Sequence, residues 1–509
     1  MNFGYDYVVT KTVTMMNNQI LSVLIIFVWL SIFNPSTYGY KYFRNGRLGS
    51  KKEPTPPSKY EKWFTQNLDH FNPNDERNWQ QRYFVNDEYA NDKRDVAFLM
   101  IGGEGTASDY WMTNGSWIMY AQKYRPVLFQ LEHRYYGKSY PTENLSTENL
   151  IYLTSQQALG DLAFFMQAMN SQYELSPDVK WIVFGGSYPG CLAAWLRQKY
   201  PHLTHGAMSA SGPLLAKLDF SEYFKVVADA LRASNENCAS AVKQGTAQIE
   251  ILLQKSLGRK NLDDIFRLCE SIEDNIDNNL DISNFFQNLA DNFAGIVQYN
   301  KDNRESTRKL NITVDTLCDI MVNETIGPEV NRLAAVNDLL LRVNNETCLD
   351  YKYDKMIEEL KNISWDSEAS EGGRQWTYQT CTEFGYYQTS SYKPHIFGNR
   401  FDITFSIQQC EDIFGSSYNR SFLEQAVYRT NTLYGGLDIE VSNVVFVHGS
   451  LDPWHVLGIT ETTTNEAPAI LIKGAAHCAN MYNPADDDTP QLKAARVQIE
   501  ELIGKWIDL

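Results

Sequence analysis

Three residues far apart in the chain, Ser187, Asp452 and His477, have the types and the order needed for nucleophilic acyl transfer. A serine hydroxyl is a poor nucleophile until a base takes its proton, and the base needs an acid to orient it. Ser187 follows Gly185-Gly186, directly after the apolar run Trp181–Phe184 and directly before a helix-forming stretch, Cys191–Lys199. Strand, tight turn and helix in that order lift a nucleophile above a sheet edge and set it at a helix N-terminus, where unpaired N–H groups favour developing negative charge. The match to G-x-S-x-G is imperfect, because Pro189 stands at the second glycine and Gly190 follows one residue later. Asp452 lies just past the apolar run 443–447, and His477 lies just past the run 469–472. His448 and His455 are rival bases and Asp438 a rival acid. His448 ends a strand before the acid, His455 follows the acid, and Asp438 sits in a Gly-rich turn ahead of the strand, so these read as structural or pocket residues. An oxyanion hole needs two backbone donors. Tyr188, next to the nucleophile, is one candidate, and the loop Gly102-Gly103-Glu104-Gly105 offers the second through Gly103 and Glu104. That loop lacks the spacing of a dinucleotide fingerprint or a P-loop.

These residues need a scaffold, and the apolar runs supply one. Short uninterrupted runs at 96–101, 126–131, 181–184, 206–209, 443–447 and 469–472 suit buried parallel strands. Helical segments lie between them, such as Gln156–Met169 and Cys191–Lys199. Alternating β and α predicts an α/β-hydrolase fold with a mostly parallel sheet and helices on both faces. From 213 to 432 the pattern changes to amphipathic helices, including Ser221–Ala233 and Ala247–Leu257. Because strands resume afterwards, this stretch is expected to be a helical cap inserted into the sheet domain. The expected organisation is a signal peptide at 1–39, a flexible leader at 40–59, the hydrolase core at 60–212 and 433–509, and the cap between. A last amphipathic helix is expected near 490–507.

Composition narrows the function classes. The net charge is −17, from 45 basic and 62 acidic residues, which argues against a nucleic-acid partner because phosphate binding wants clustered positive charge. The apolar run from Ile20 to Phe33 is short for a membrane span and fits a signal-peptide core, with cleavage expected near Gly39 and an uncleaved anchor as the alternative. Export agrees with sequons at Asn114, Asn144, Asn311, Asn323, Asn345, Asn362 and Asn419, and with an even count of eight cysteines. No two cysteines have C-x-x-C spacing, so no zinc site is expected, and no other metal or cofactor.

At these residues the chain resembles the Pro-X carboxypeptidase family of serine peptidases, which includes dipeptidyl peptidase II, and most resembles its thymus-specific serine protease branch. The matching stretches are 64–73, GGEG at 102–105, 131–139, 185–202, 374–389, 434–436, LDPWHVL at 451–457 and 475–482. The resemblance implies a capped α/β-hydrolase, with the family's serine, aspartate and histidine falling on Ser187, Asp452 and His477. It implies serine-type exopeptidase action on small peptides after proline, with Tyr188, Cys191, Tyr386 and Trp454 around an apolar proline pocket. It also implies disulfides Cys238–Cys318, Cys269–Cys348 and Cys381–Cys410, with Cys191 and Cys478 either paired or left as thiols. An acyl esterase or lipase, or a silent binding homologue, is the alternative on the same fold. Which peptide terminus is recognised stays open: Glu104, Glu383 and Asp350 are candidate acids for an amine, and Arg134 and Arg374 candidate cations for a carboxylate. The expected setting is the secretory pathway, secreted or lysosomal, with an acidic-to-neutral pH optimum. No stable membrane association is expected after signal removal, and a homodimer is left open.

Overall fold

In the computed structural model, residues 58–301 and 311–508 are described; the expected signal peptide at 1–39 and most of the expected leader at 40–59 lie outside them. Chain order begins with two strands that apolar runs did not mark, β1 (Glu61–Asn67) and β2 (Asn78–Asn86). They form an antiparallel hairpin, and β2 continues antiparallel onto β4 (Val127–Leu131). Strands β3 (Val96–Ile101), β5 (Lys180–Gly186) and β6 (Thr204–Ala210) add parallel to β4. Strands β7 (Lys217–Asp219) and β8 (Gly385–Tyr387) pair only with each other. Strands β9 (Val444–Gly449) and β10 (Ala469–Ile472) complete the large sheet, whose order is β1-β2-β4-β3-β5-β6-β9-β10. An antiparallel start followed by parallel strands, crossing over at β3 and β4, is the α/β-hydrolase arrangement.

Every residue of β3 is buried, so its period of two serves two apolar faces. Val96, Phe98 and Met100 pack with Trp117 and Tyr120 of α1 (Ser116–Tyr124) and with the C-terminal helix residues Ile499, Ile503 and Trp506. Ala97, Leu99 and Ile101 face the other side, with Leu162, Phe165 and Met166 of α2 (Ser155–Gln172) and Leu192 and Trp195 of α3 (Tyr188–Lys199).

Between β6 and β9 the described residues contribute no strand to the large sheet. Its principal helices are α4 (Glu222–Ser234), α5 (Glu236–Leu253), α6 (Ser256–Phe266), α7 (Asn279–Gln298), α8 (Val314–Val322), α9 (Glu329–Val343), α10 (Ile403–Phe414) and α11 (Arg420–Tyr434). Their apolar side chains belong to the same continuous core as α2 and α3. The single helix expected over Ala247–Leu257 is two. Helix α5 ends at Leu253, and Lys255 takes an extended conformation that starts α6. Three disulfides form in this region, Cys238–Cys318, Cys269–Cys348 and Cys381–Cys410. Cys191 and Cys478 remain separate buried thiols. The last helix, α12, runs from Pro490 to Asp508. Asn311, Asn323, Asn345, Asn362 and Asn419 are exposed, and Asn114 and Asn144 partly so. No helix among the described residues is long and apolar enough to cross a membrane.

Candidate active site

Ser187 sits between the end of β5 and the first residue of α3, with φ +65° and ψ −132°. Backbone in this region is strained for any residue with a Cβ, and strain of this kind is commonly stored at functional turns. The turn closes because its neighbours lack side chains. A Cβ on Gly185 would collide with the Pro189 carbonyl, and one on Gly190 would come within 2.7 Å of the Ala210 carbonyl oxygen. The proline at 189 falls in the first turn of α3, where its missing N–H costs nothing. Ser187 and Gly186 keep some exposure, while Gly185 before them and Tyr188 after them are buried.

Asp452 caps the short helical turn Pro453–Leu457. Its Oδ1 accepts the Trp454 N–H at 3.0 Å, and its Oδ2 accepts from His477 Nδ1 at 2.8 Å. Both side chains are buried. Burial alone would disfavour the imidazolium, but the adjacent Asp452 charge and its hydrogen bond outweigh that and hold the His477 pKa well above the ordinary range. Asp452 is likewise opposed by burial and lowered by His477. With Nδ1 occupied, Nε2 is the ring nitrogen left to serve a hydroxyl.

The histidine loop lies against the serine turn. The Ala210 carbonyl at the end of β6 accepts the Ser187 N–H at 2.9 Å and is also met by the Cys478 thiol at 3.9 Å. The Cys478 N–H donates to Ser211 Oγ at 2.9 Å. A Cβ on Gly186 would lie 3.0 Å from Cys478 Sγ. On the other flank, a Cβ on Gly103 would come within 2.6 Å of Pro189 Cγ, so the Gly102–Gly105 loop packs on the start of α3. As the first residue of α3, Tyr188 has an N–H with no intrahelical acceptor. Its phenol is tied away, between Gln379 Nε2 at 3.1 Å and His133 Nε2 at 3.0 Å.

The pocket candidates converge. Tyr386 packs edge-on against Trp454 with ring centroids 5.5 Å apart, stacks on Phe384, and anchors its hydroxyl on the Pro213 carbonyl. Cys191, fully buried, interacts with the Tyr386 hydroxyl, and burial pushes its thiol pKa well up. Phe220 and Tyr223 extend the aromatic wall beside Trp454, with centroids 5.5 and 5.7 Å away.

Of the rival bases, His448 is buried beside Asp452 with neither ring nitrogen hydrogen-bonded to the described residues, and desolvation lowers its pKa to about 4. Nothing in its geometry orients it toward Ser187. His455 turns its Nδ1 back to the Asp452 carbonyl at 2.7 Å.

One contributor had no sequence signal. Gln298, the last residue of α7, accepts the His477 N–H on its backbone oxygen at 2.9 Å. Its side-chain oxygen accepts Trp454 Nε1–H at 3.0 Å and the Tyr223 hydroxyl at 2.8 Å. A single residue of the 213–432 region thus braces the loops that carry both Asp452 and His477. A glutamine in an amphipathic helix of a polar, Asn-rich stretch looks like any solvated position, so nothing could have singled it out.

Comparison with known proteins bears on the family. A Caenorhabditis elegans protein bearing a serine-protease name is 37% identical over 472 residues, 90% of this chain and 86% of its own. The mouse thymus-specific serine protease is 34% identical over 454 residues, 87% of each chain. The mouse lysosomal Pro-X carboxypeptidase is 28% identical over 458 residues, 87% of this chain and 88% of its own. The family model described as serine carboxypeptidase S28 matches residues 66–499. A serine at a strained strand–helix turn, a buried Asp–His pair on the next loops and a match along nearly the whole described chain lead to one conclusion: this protein belongs to the serine carboxypeptidase S28 family and is a serine-type peptidase.

Proposed function

We propose that the protein is an exopeptidase that hydrolyses small peptides after proline through a Ser187–His477–Asp452 triad. The observation that carries the reading is the 2.8 Å Asp452–His477 bond on a loop that shares the Ala210 carbonyl with the Ser187 turn. In this mechanism His477 Nε2 takes the Ser187 proton as Oγ attacks the scissile carbonyl, and Asp452 stabilises the imidazolium. The tetrahedral oxyanion is held by the Tyr188 N–H and an N–H of the Gly103–Glu104 segment. His477 then gives its proton to the departing amine, leaving an acyl-enzyme that water resolves by the same steps in reverse.

Proline specificity is supported by the wall of Tyr386, Trp454 and Cys191, which is apolar and anchored, and so suits a flat, rigid ring. A lysosomal or secreted setting is supported by the three disulfides and by the lysosomal name of one relative. The test pairs a fluorophosphonate probe with two substrate panels, X-Pro peptides and short acyl esters. The probe should label the wild type and leave Ser187→Ala unlabelled, and X-Pro peptides should be cut. Efficient ester turnover with no peptide turnover would defeat the peptidase mechanism, and cutting indifferent to proline would defeat the specificity.

A further inference from the structure

Tyr188 carries the proposed oxyanion donor next to Ser187, and its phenol joins a chain of hydrogen bonds whose direction the structure determines. His133 Nδ1 lies 2.8 Å from the Arg134 carbonyl, which can only accept, so Nδ1 carries the ring proton. Its Nε2 therefore accepts the Tyr188 hydroxyl at 3.0 Å. With its own proton given to His133, the phenol oxygen accepts the Gln379 Nε2–H at 3.1 Å, and Gln379 Oε1 accepts the Tyr136 hydroxyl at 2.6 Å. All four side chains are buried. Arg134 is fixed in turn, since it donates to both oxygens of Asp161 at 2.7 and 2.6 Å. Burial also pushes the His133 pKa down to about 4, so Nε2 stays an acceptor in an acidic compartment.

The amide in the middle of this chain belongs to the helical region between β6 and β9. Gln379 ends the short helix Gly373–Gln379, which runs on into the π-helical turn Thr380–Phe384. Trp376 and Phe384 of the same stretch pack on the Tyr188 ring, with centroids 5.7 and 5.4 Å away. The start of the stretch meets the second donor segment. A Cβ on Gly372 would come within 2.8 Å of the Glu104 carbonyl oxygen and 3.5 Å of the Tyr136 ring. Residues 372–384 thus touch both backbone segments that would hold an oxyanion. A phenylalanine at 188 would fill nearly the same space. A tyrosine whose donor and acceptor are both matched instead fixes one position where packing alone allows several.

We propose that Gln379 is a positioning residue for the oxyanion hole. Through Tyr188 it fixes the backbone N–H beside Ser187, and through Gly372, at the start of its own helix, it seats the Gly103–Glu104 backbone. This rests on the Ser187 reading above. Oxyanion donors act as negative charge develops on the scissile oxygen, so a displacement here slows the chemical step and leaves substrate binding almost unchanged. The hole is assembled between sheet and helical region, although both of its donors lie on the sheet side.

The experiment measures kcat and KM on a peptide that the wild type cuts, and inhibition by the aldehyde made from that peptide's acyl half, for Gln379→Met, Gln379→Glu and Tyr188→Phe. The adduct of the aldehyde with Ser187 places its oxygen in the hole. Gln379→Met should lower kcat about 10- to 100-fold with KM within about threefold, and weaken the aldehyde by the same factor. Tyr188→Phe should lose a similar amount, and the two together little more, because they break one link. Gln379→Glu gives a readout that packing alone would not move. As a neutral acid it donates to Tyr188 and accepts from Tyr136 as the amide does, and the Glu383 carboxylate facing it favours that form. Its kcat/KM relative to the wild type should therefore rise at least about fivefold as pH falls from about 8 to 5. A ratio flat with pH, a Gln379→Met loss carried by KM, or fully additive losses would each overturn the assignment. If Gln379→Met does not fold, the other two variants carry the test. Endpoint fluorophosphonate labelling separates the two readings. Labelled wild type with any of those three results defeats only the role of Gln379, and unlabelled wild type defeats the Ser187 mechanism along with it.

Discussion

The sheet and the helical region inserted between β6 and β9 solve different problems. The sheet carries the proposed triad at strand ends, on turns forced by glycine contacts and packed on both faces by apolar side chains. The inserted region carries no triad candidate. It holds all three disulfides and five of the seven sequons, and it reaches the site through Gln298 and the ring of Tyr386. The difference teaches that reactivity and its support come from separate layers: one supplies reacting groups, the other supplies walls and braces.

That division can be broken from either side. The largest effect should come from the sheet. Asp452→Asn keeps the shape but removes the charge that holds the His477 tautomer, and kcat should fall about 10³- to 10⁴-fold with little change in KM. A loss shared equally between kcat and KM would mean that Asp452 chiefly holds the pocket. Next, replacing Cys238 and Cys318 together opens a link between positions 80 residues apart and should cost about 2–5 kcal/mol in chemical denaturation. If the two regions were independent, fluorophosphonate labelling would survive at denaturant concentrations where this variant's helices melt. Their shared core predicts that labelling and helicity are lost together.

The pH dependence follows from His477. Its pKa is raised, and the base works only when neutral, so kcat/KM should drop about tenfold per pH unit below that raised value. The acid limb therefore moves upward, toward the neutral end of the optimum expected from the sequence. Asp452→Asn, which removes the larger of the two raising influences and leaves that of Cys478, should move the limb down. A limb that stays put in that variant would assign it to another group. The smallest effect should be Gln298→Met, which removes the acceptor for Trp454 and Tyr223 but leaves the backbone bond to His477. A loss of about 3- to 10-fold in kcat/KM is expected, and Trp454→Phe should add little to it, because the two share one hydrogen bond. Fully additive losses would show that the brace does not act through Trp454.

Much of the sheet was legible because a buried parallel strand must be a short apolar run, and six such runs were present. The hairpin of β1 and β2 was not, since its outer strand is largely exposed and its residues, EKWFTQN, carry no apolar run. The strand-end positions of the proposed triad, Ser187, Asp452 and His477, were legible because sequence order reveals where a strand stops. The recognition side was less so. Glu383 and Arg374 looked available to a peptide terminus, and only packing shows that Ser155 and two carbonyls have taken them. Gln298 was invisible because its role depends on where α7 stops, not on its residue type.

The backbone of Ser187, at φ +65°, has a bearing on where the fold could be made more stable. Glycine would sit there without strain, and a single substitution toward it would relieve on the order of 1 kcal/mol. The exchange would remove the hydroxyl together with the strain, so at this one position the stability of the fold and the presence of the nucleophile candidate pull in opposite directions.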